Sequence, residues 1–202
     1  KTMEAVTYLN ETDRLLHQVV SDLDRPHRVV ISGIYELPFG KGRRFGSGAQ
    51  GLWNHLIGGW QIQGNYLGQS GPPLEFGNVI YRGRFTDIRL PSSQRSLDRW
   101  FNTDGFERNS RAQLASNLRT FPLRISAVRA DGISLVDFGV FKDFPIGERF
   151  RLQIRGETEG FLYHSSFSNP NLDPASSLFG KVTSTLGGEG ARRAFVGAKV
   201  IF

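Results

Sequence analysis

The chain has 202 residues, with 24 glycines, 16 phenylalanines and no cysteine, a balance that points to a turn-rich β protein without disulfides and away from a helical core. Its net charge of +6 raises nucleic-acid binding. However, Arg43 and Arg44 sit in a glycine turn, Arg192 and Arg193 open a strand, and no helix-turn-helix, zinc-finger or RNA-recognition signature accompanies them, so the charge reads as a solvated rim. No run of about 18 apolar residues offers a membrane-spanning helix.

The opening "KTMEAVTYLNETDR" lacks the charged, apolar and small-residue succession of a signal peptide, starts without methionine and reads like the tail of a strand ending near Tyr8. We therefore expect a fragment whose targeting signal lies upstream. Asn10 begins an N-x-T sequon, and Asp13, Asp22 and Asp24 offer oxygens without the spacing of a calcium loop.

"RVVISGIYELP" alternates Val29, Ile31, Gly33, Tyr35 and Leu37 against Arg28, Val30, Ser32, Ile34 and Glu36, a strand with apolar residues on both faces. The connection "PFGKGRRFGSGAQGLWNHLIG" contains a G-x-G-x-x-G match. It follows Arg43 and Arg44 instead of an apolar strand, and no clear helix succeeds it, so a dinucleotide site lacks its context. In "GWQIQGNYLGQSG", Trp60, Ile62, Gly64 and Tyr66 oppose Gln61, Gln63, Asn65 and Gln69, and the aromatics suit a membrane-interface girdle. Ser70 lacks the G-x-S-x-G elbow and two prolines follow Gly71, which marks a turn and not a nucleophile.

From Gly71 to about Ala130 the sequence reads as a long connection, in which "NVIYRGRFTDIRL" alone has the makings of an extra strand or a hairpin. "ISLVDFGVFKDFP" sets Val136, Phe138 and Val140 against Asp137, Gly139 and Phe141, and the short turn "FPIGE" follows. The clearest strand is "FRLQIRGETEGFLY". Phe150, Leu152, Ile154, Gly156, Thr158, Gly160 and Leu162 face one way, and Arg151, Gln153, Arg155, Glu157 and Glu159 the other. It runs to about a dozen residues, whereas soluble strands average about five or six and tilted transmembrane strands need about 9–11. Paired carboxylates serve acid–base catalysis, but Glu157 and Glu159 lie beside Arg151 and Arg155, which favours a ladder of opposite charges over an active site.

A second long connection runs from His164 to about Ala191, and "RRAFVGAKVIF" ends the chain. There Ala194, Val196, Ala198, Val200 and Phe202 oppose Phe195, Gly197, Lys199 and Ile201, so the last residue stands in a strand. His17, His27, His55 and His164 form no H-x-x-x-H pair, and we expect no metal, no cofactor and no enzymatic activity.

These readings predict an all-β fold: an antiparallel transmembrane β-barrel segment of about five strands, with a sixth near Tyr8, short turns on one side and long loops on the other. That is fewer than the eight strands of the smallest barrels, so the segment should not close alone. Gln61, Gln63, Asn65, Gln69, Asp137, Arg151, Gln153, Arg155, Glu157 and Glu159 are expected to face the lumen. Trp60, Ile62, Tyr66, Val136, Phe138, Val140, Phe150, Leu152 and Ile154 are expected to face lipid. A cation at Ile154 would then cost about 2–4 kcal/mol near the midplane, and one at Gln153 little. A soluble β-sandwich for binding or adhesion, its apolar faces packed together, and a small self-contained pore are the rivals.

Five blocks carry a resemblance. "SDLDRPHRVVISGIYELPFGKGRRF", "LIGGWQIQGNYLGQSGPPLEF", "RWFNTDGF", "LVDFGVFKDFPIGERFRLQIRGETEGFLYHSSFSNPN" and "FGKVTSTLGGEGARRAFVGAKVIF" resemble, in the same order, the C-terminal barrels of TonB-dependent receptors of the Oar-like group. Those are large proteins with a carboxypeptidase-regulatory-like N-terminal domain. The resemblance covers nearly the whole chain from Ser21, with Glu159, Gly160 and Tyr163 departing from the usual Phe, Asn and Asn. It implies the last strands of a 22-stranded barrel in the bacterial outer membrane, moving a substrate of unknown identity. The energising TonB-like protein would act on a plug and TonB box that have no counterpart in these residues. It also implies that Ala198, Val200 and the terminal Phe202 form the signal read by the barrel-assembly machinery.

Overall fold

The computed structural model describes residues 8–113, 118–147, 149–162, 165–186 and 192–202. In chain order the elements are β1 (Arg28–Glu36), helix α1 (Gly51–Ile57), β2 (Trp60–Gln69), β3 (Pro73–Glu75), β4 (Arg124–Arg129), β5 (Ile133–Ile146), β6 (Phe150–Glu159) and β7 (Arg193–Ile201). Short 3-10 turns occur at Phe85–Ile88, Ser92–Gln94 and Ser110–Ala112. The chain divides into two compact units, one holding the long strands with the β1–β2 connection and the other the segments 1–27, 70–132 and 166–187.

The strand unit is a single antiparallel sheet of five strands in the order β1-β2-β5-β6-β7. Every neighbour in this order is also the next long strand in the chain, so the topology is a meander. The strands are 9, 10, 14, 10 and 9 residues long, matching the about 9–11 residues of a tilted membrane-crossing strand better than the about five or six of a soluble one. β5 runs through Pro145 to Ile146 and β6 begins at Phe150, so the strands take in part of the "FPIGE" segment that the sequence reading assigned to the turn. Gly147 takes φ +65° in that turn, where a side chain would be strained. Register with β2 ends at Lys142, which leaves Pro145 on a locally open edge where its missing N–H interrupts no ladder with β2.

Within the strand unit the described residues form this one sheet as a single layer. Ile31 is 61% exposed, Ile34 64% and Val196 87%. A soluble sandwich would have buried one of these faces, so that rival fails on the fold.

The other unit is not the plain loop that the sequence suggested. Leu74, Phe76, Ile88, Phe101 and Phe121 are fully buried, and Val79, Trp100, Phe106, Ile125, Val128 and Phe179 join them in one core. Phe76 is in ring contact with Phe101 at 5.5 Å, Phe106 at 6.0 Å and Phe121 at 5.2 Å. Such pairs add about 0.5–1.5 kcal/mol each beyond area burial. "NVIYRGRFTDIRL" forms neither a barrel strand nor a hairpin. Tyr81 makes an isolated bridge to Phe106, and Phe85–Ile88 is a 3-10 turn, because its apolar side chains are drawn into the aromatic core and not into alternation. Among the described residues the strand pairing there joins β3 and β4, antiparallel with a shift of register between Pro73 and Glu75. Residues 8–27 contain no strand, and the rest of the sixth strand expected near Tyr8 lies outside the described residues.

Arginines hold this unit together. Arg119 donates to the carbonyls of Phe76 (2.5 Å) and Phe121 (2.9 Å), and Arg108 to those of Pro174 (2.5 Å) and Ser176 (2.9 Å). Arg124 grips the Glu75 carboxylate at 2.6 Å and Arg129 that of Asp24 at 2.5 Å. The planar guanidinium suits this service, because it satisfies several irregular backbone carbonyls at once. Burial pulls the Arg95 and Arg119 guanidiniums below their ordinary range, against opposing contributions from Asp131 and Glu75. Arg95 also stacks over Trp100 at 3.5 Å from the ring centroid.

Candidate functional site: two faces of one sheet

Register sorts the side chains of the sheet by parity. On one face Ile31, Tyr66 and Val136 lie in a row, followed by Tyr35, Ile62, Val140 and Gly156, and then by Trp60, Lys142, Ile154 and Ala198. Phe138 pairs with Gly64 and Thr158, Leu152 with Phe144 and Val200, and Phe150 with Ile146. All nine residues read as apolar strand positions therefore share this face. Ala198 and Val200 share it too, and Phe202, 96% exposed, follows them past the end of β7.

The opposite face collects the polar set. Asn65 is in register with Ser32 and Asp137, Gln63 with Gly139 and Gly139 with Glu157, Gln61 with Glu36, and Gln69 with Arg28. Gln153 pairs with Asp143 and Lys199, Arg151 with Pro145, Arg155 with Phe141, and Glu159 with Arg193. Gln63, Asn65, Asp137, Glu157 and Glu159 line a groove of about 250 Å³. The Asp137 carboxylate accepts from the Gly160 N–H at 3.0 Å, which ties the end of β6 back to β5.

Within this face the charge ladder differs from the one expected. Arg155 and Glu157 do pair, at 3.8 Å. Arg151 instead reaches Asp143 on the neighbouring strand at 3.2 Å, where Gln153 also donates at 2.9 Å, and Glu159 stands opposite Arg193. Asp143 stands directly opposite Gln153 and diagonally across from Arg151, within reach of both side chains. The strands with apolar residues on both faces also find their reason here, since Val30, Leu67 and Leu135 pair in a row and form an apolar patch at one end of the polar face.

Lys142 escaped the sequence reading. Parity places it on the apolar face after Val140, yet it is 5% exposed. Its ammonium donates to the Gly58 carbonyl and sits 5.2 Å from the Trp60 ring centroid and 5.0 Å from that of Phe144. Trp60 in turn donates its indole N–H to the Leu56 carbonyl at 2.9 Å. A lysine two places past an apolar series was the available signal.

The remaining sequence candidates are dispersed. Asn10 is held by Arg119, whose backbone N–H it accepts at 2.7 Å, Asp13 accepts from Asn10 at 2.8 Å, and Asp24 pairs with Arg129, so the aspartates do not converge. A helix does follow "GSGAQG", contrary to expectation, but α1 has only seven residues and succeeds a turn, not a strand. Ser70 donates its N–H to the His27 carbonyl at the end of β2. His164 lies outside the described residues.

Long antiparallel strands in a meander, apolar on one face and polar on the other, with the large apolar side chains left exposed, define a membrane β-barrel wall. The family model for an outer membrane beta barrel domain matches residues 1–195, and the chain belongs to that family. The protein is thus a resident of the bacterial outer membrane. Comparison with curated proteins and with solved structures finds no significant match.

Proposed function

We propose that the chain is the C-terminal part of the barrel wall of a TonB-dependent transporter, without catalysis of its own. The observation that carries this reading is the open sheet. Among the described residues β1 and β7 each have a single strand neighbour, and an exposed edge in the bilayer leaves backbone groups unsatisfied at several kcal/mol each, so further strands must pair there. The five blocks that resemble the Oar-like receptors support a large plugged barrel over a small pore.

In this reading Trp60, Ile62, Tyr66, Val136, Phe138, Val140, Phe150, Leu152 and Ile154 meet lipid, and the polar face lines the interior. The β1–β2 connection, the Gly147 turn and the C-terminus come together at one end, which we assign to the periplasm. The long connections leave from the other end and are external. Substrate passes between the polar face and a displaced plug, with the TonB-like protein acting on the plug. Planar-bilayer conductance of the protein purified from its own outer membrane tests this. A plugged transporter stays closed and binds the TonB C-terminal domain. A steady open conductance without such binding overturns the proposal in favour of a simple pore.

A further inference from the structure

The β1–β2 connection carries a feature that a wall strand does not need. From Leu37 to Gly59 the sequence has Lys41, Arg43 and Arg44 and no acidic residue. Within it α1 exposes three large apolar side chains, Leu52 at 81%, Trp53 at 70% and Leu56 at 60%. At 3.6 residues per turn these three fall within about 100° of arc. The other side of the helix is taken up by its own connection, where Asn54 accepts the Lys41 N–H at 2.6 Å and Ile57 lies against Gly46. The exposed arc is therefore not the side on which the helix rests.

Its position is fixed against the sheet. The Leu56 carbonyl is bonded by Trp60, and the Gly58 carbonyl by Lys142. Gly59 at φ +71° turns the chain into β2, with no room for a side chain beside the Asp143 carbonyl. Leu56 and His55 share a groove of about 400 Å³ with Trp60, Val140, Phe144 and Ile154. Lys142, buried against Trp60, and Arg155 also line this groove, and around them the apolar surface of the sheet continues onto the helix.

We propose that α1 is an interfacial anchor. Leu52, Trp53 and Leu56 enter the phospholipid leaflet at the short-turn end of the barrel, and Lys41 and Arg44 meet its anionic headgroups. Arg43 is the lesser contributor, since Glu36 holds it at 2.8 Å. Continuity with the lipid-facing surface supplies the apolar half of the site, and the acid-free basic connection supplies the charge half. The inference rests on the apolar face meeting lipid and is independent of transport.

The absence of cysteine from the chain permits single-cysteine nitroxide labels at positions 52, 53, 54 and 56, with a label at Ile62 as the bilayer reference. The protein is reconstituted in bilayers of phosphatidylcholine with and without phosphatidylglycerol. The oxygen-to-nickel-chelate accessibility ratio is expected to be severalfold higher at 52, 53 and 56 than at 54, and to rise with phosphatidylglycerol in a salt-sensitive way. Lys41→Gln with Arg44→Gln should remove the phosphatidylglycerol dependence and leave the label at 62 unchanged. Free access of the chelate to 52, 53 and 56 places the helix in water and overturns the proposal. Protection from both reagents means that protein covers it, which overturns it equally. A water-like label at 62 would instead refute the assignment of the sheet faces.

Discussion

Gly64 offers the cleanest test of which face meets lipid. It lies on the apolar face of β2 between Gly33 and Phe138, and an added side chain would meet only the Asp137 carbonyl, at 4.0 Å. Gly64→Arg therefore adds a charge without deleting packing, and Gly64→Leu is its apolar counterpart. Four residues beyond Trp60, at about 3.4 Å per residue and a tilt of about 40°, Gly64 sits about 10 Å deeper than the interface, close to the middle of a band about 25 Å tall. There an arginine costs about 2–4 kcal/mol. Asn65→Arg, next in sequence and facing Asp137 in register, should cost under about 1 kcal/mol. Equilibrium urea titration of folding into phosphatidylcholine vesicles measures all three. Equal penalties for Gly64→Arg and Asn65→Arg, or a Gly64→Leu penalty as large as that of Gly64→Arg, would refute the reasoning.

Ile154→Arg should be milder than the sequence suggested, about 0–1 kcal/mol near an interface plus repulsion, because Ile154 stands opposite Lys142 at a level already occupied by a lysine. The same titration checks it. Phe76→Ala empties the centre of the aromatic unit and should cost about 3–5 kcal/mol, read as faster hydrogen exchange in segment 70–132 while β6 keeps its protection. The Tyr81 phenol, whose hydroxyl donates to the Arg84 carbonyl at 3.0 Å, is held above its ordinary value of 10.0 by burial first and by Asp87 second. Its contribution is complete below pH 10.0 and is lost as pH rises through the raised value. Tyr81→Phe should remove that alkaline loosening in hydrogen exchange. Phe202, 96% exposed, packs on nothing that its loss would empty. Phe202→Ala should slow assembly in cells and leave folding into bare vesicles unchanged; equal effects in both would make it an ordinary edge residue.

The sheet was legible because parity is a local property. Phe150 to Glu159 alternates regardless of its partners, and the register then aligned Ile154 with Ala198 and Gln153 with Lys199 without disturbing either set. Partner choice was less legible, since nothing in "RLQIRGETE" says that Arg151 turns to Asp143 on β5 and away from its own glutamates. The aromatic unit was illegible for a different reason. Phe76, Phe101, Phe121 and Phe179 are scattered over a hundred residues of glycine- and proline-broken chain with no period, and only their contacts make them a core. "NVIYRGRFTDIRL" has strand-like composition, but Ile88 at 0% exposure and Val79 at 4% are worth more buried among rings than alternating.

The same distinction explains the charge. A basic chain without nucleic-acid motifs reads as a solvated rim, yet Arg119, Arg124 and Arg129 are partly buried in the irregular unit and the exposed Arg108 lies along it, all four bonded to carbonyls or carboxylates. Segments that cannot form ladders leave backbone oxygens without partners, and a guanidinium with five donors closes several of them at once. The excess of arginine is in this way a consequence of long connections that are folded and not merely extended. Replacing such an arginine by lysine should loosen the unit although the charge is kept, because a single ammonium cannot bridge Phe76 and Phe121 as Arg119 does.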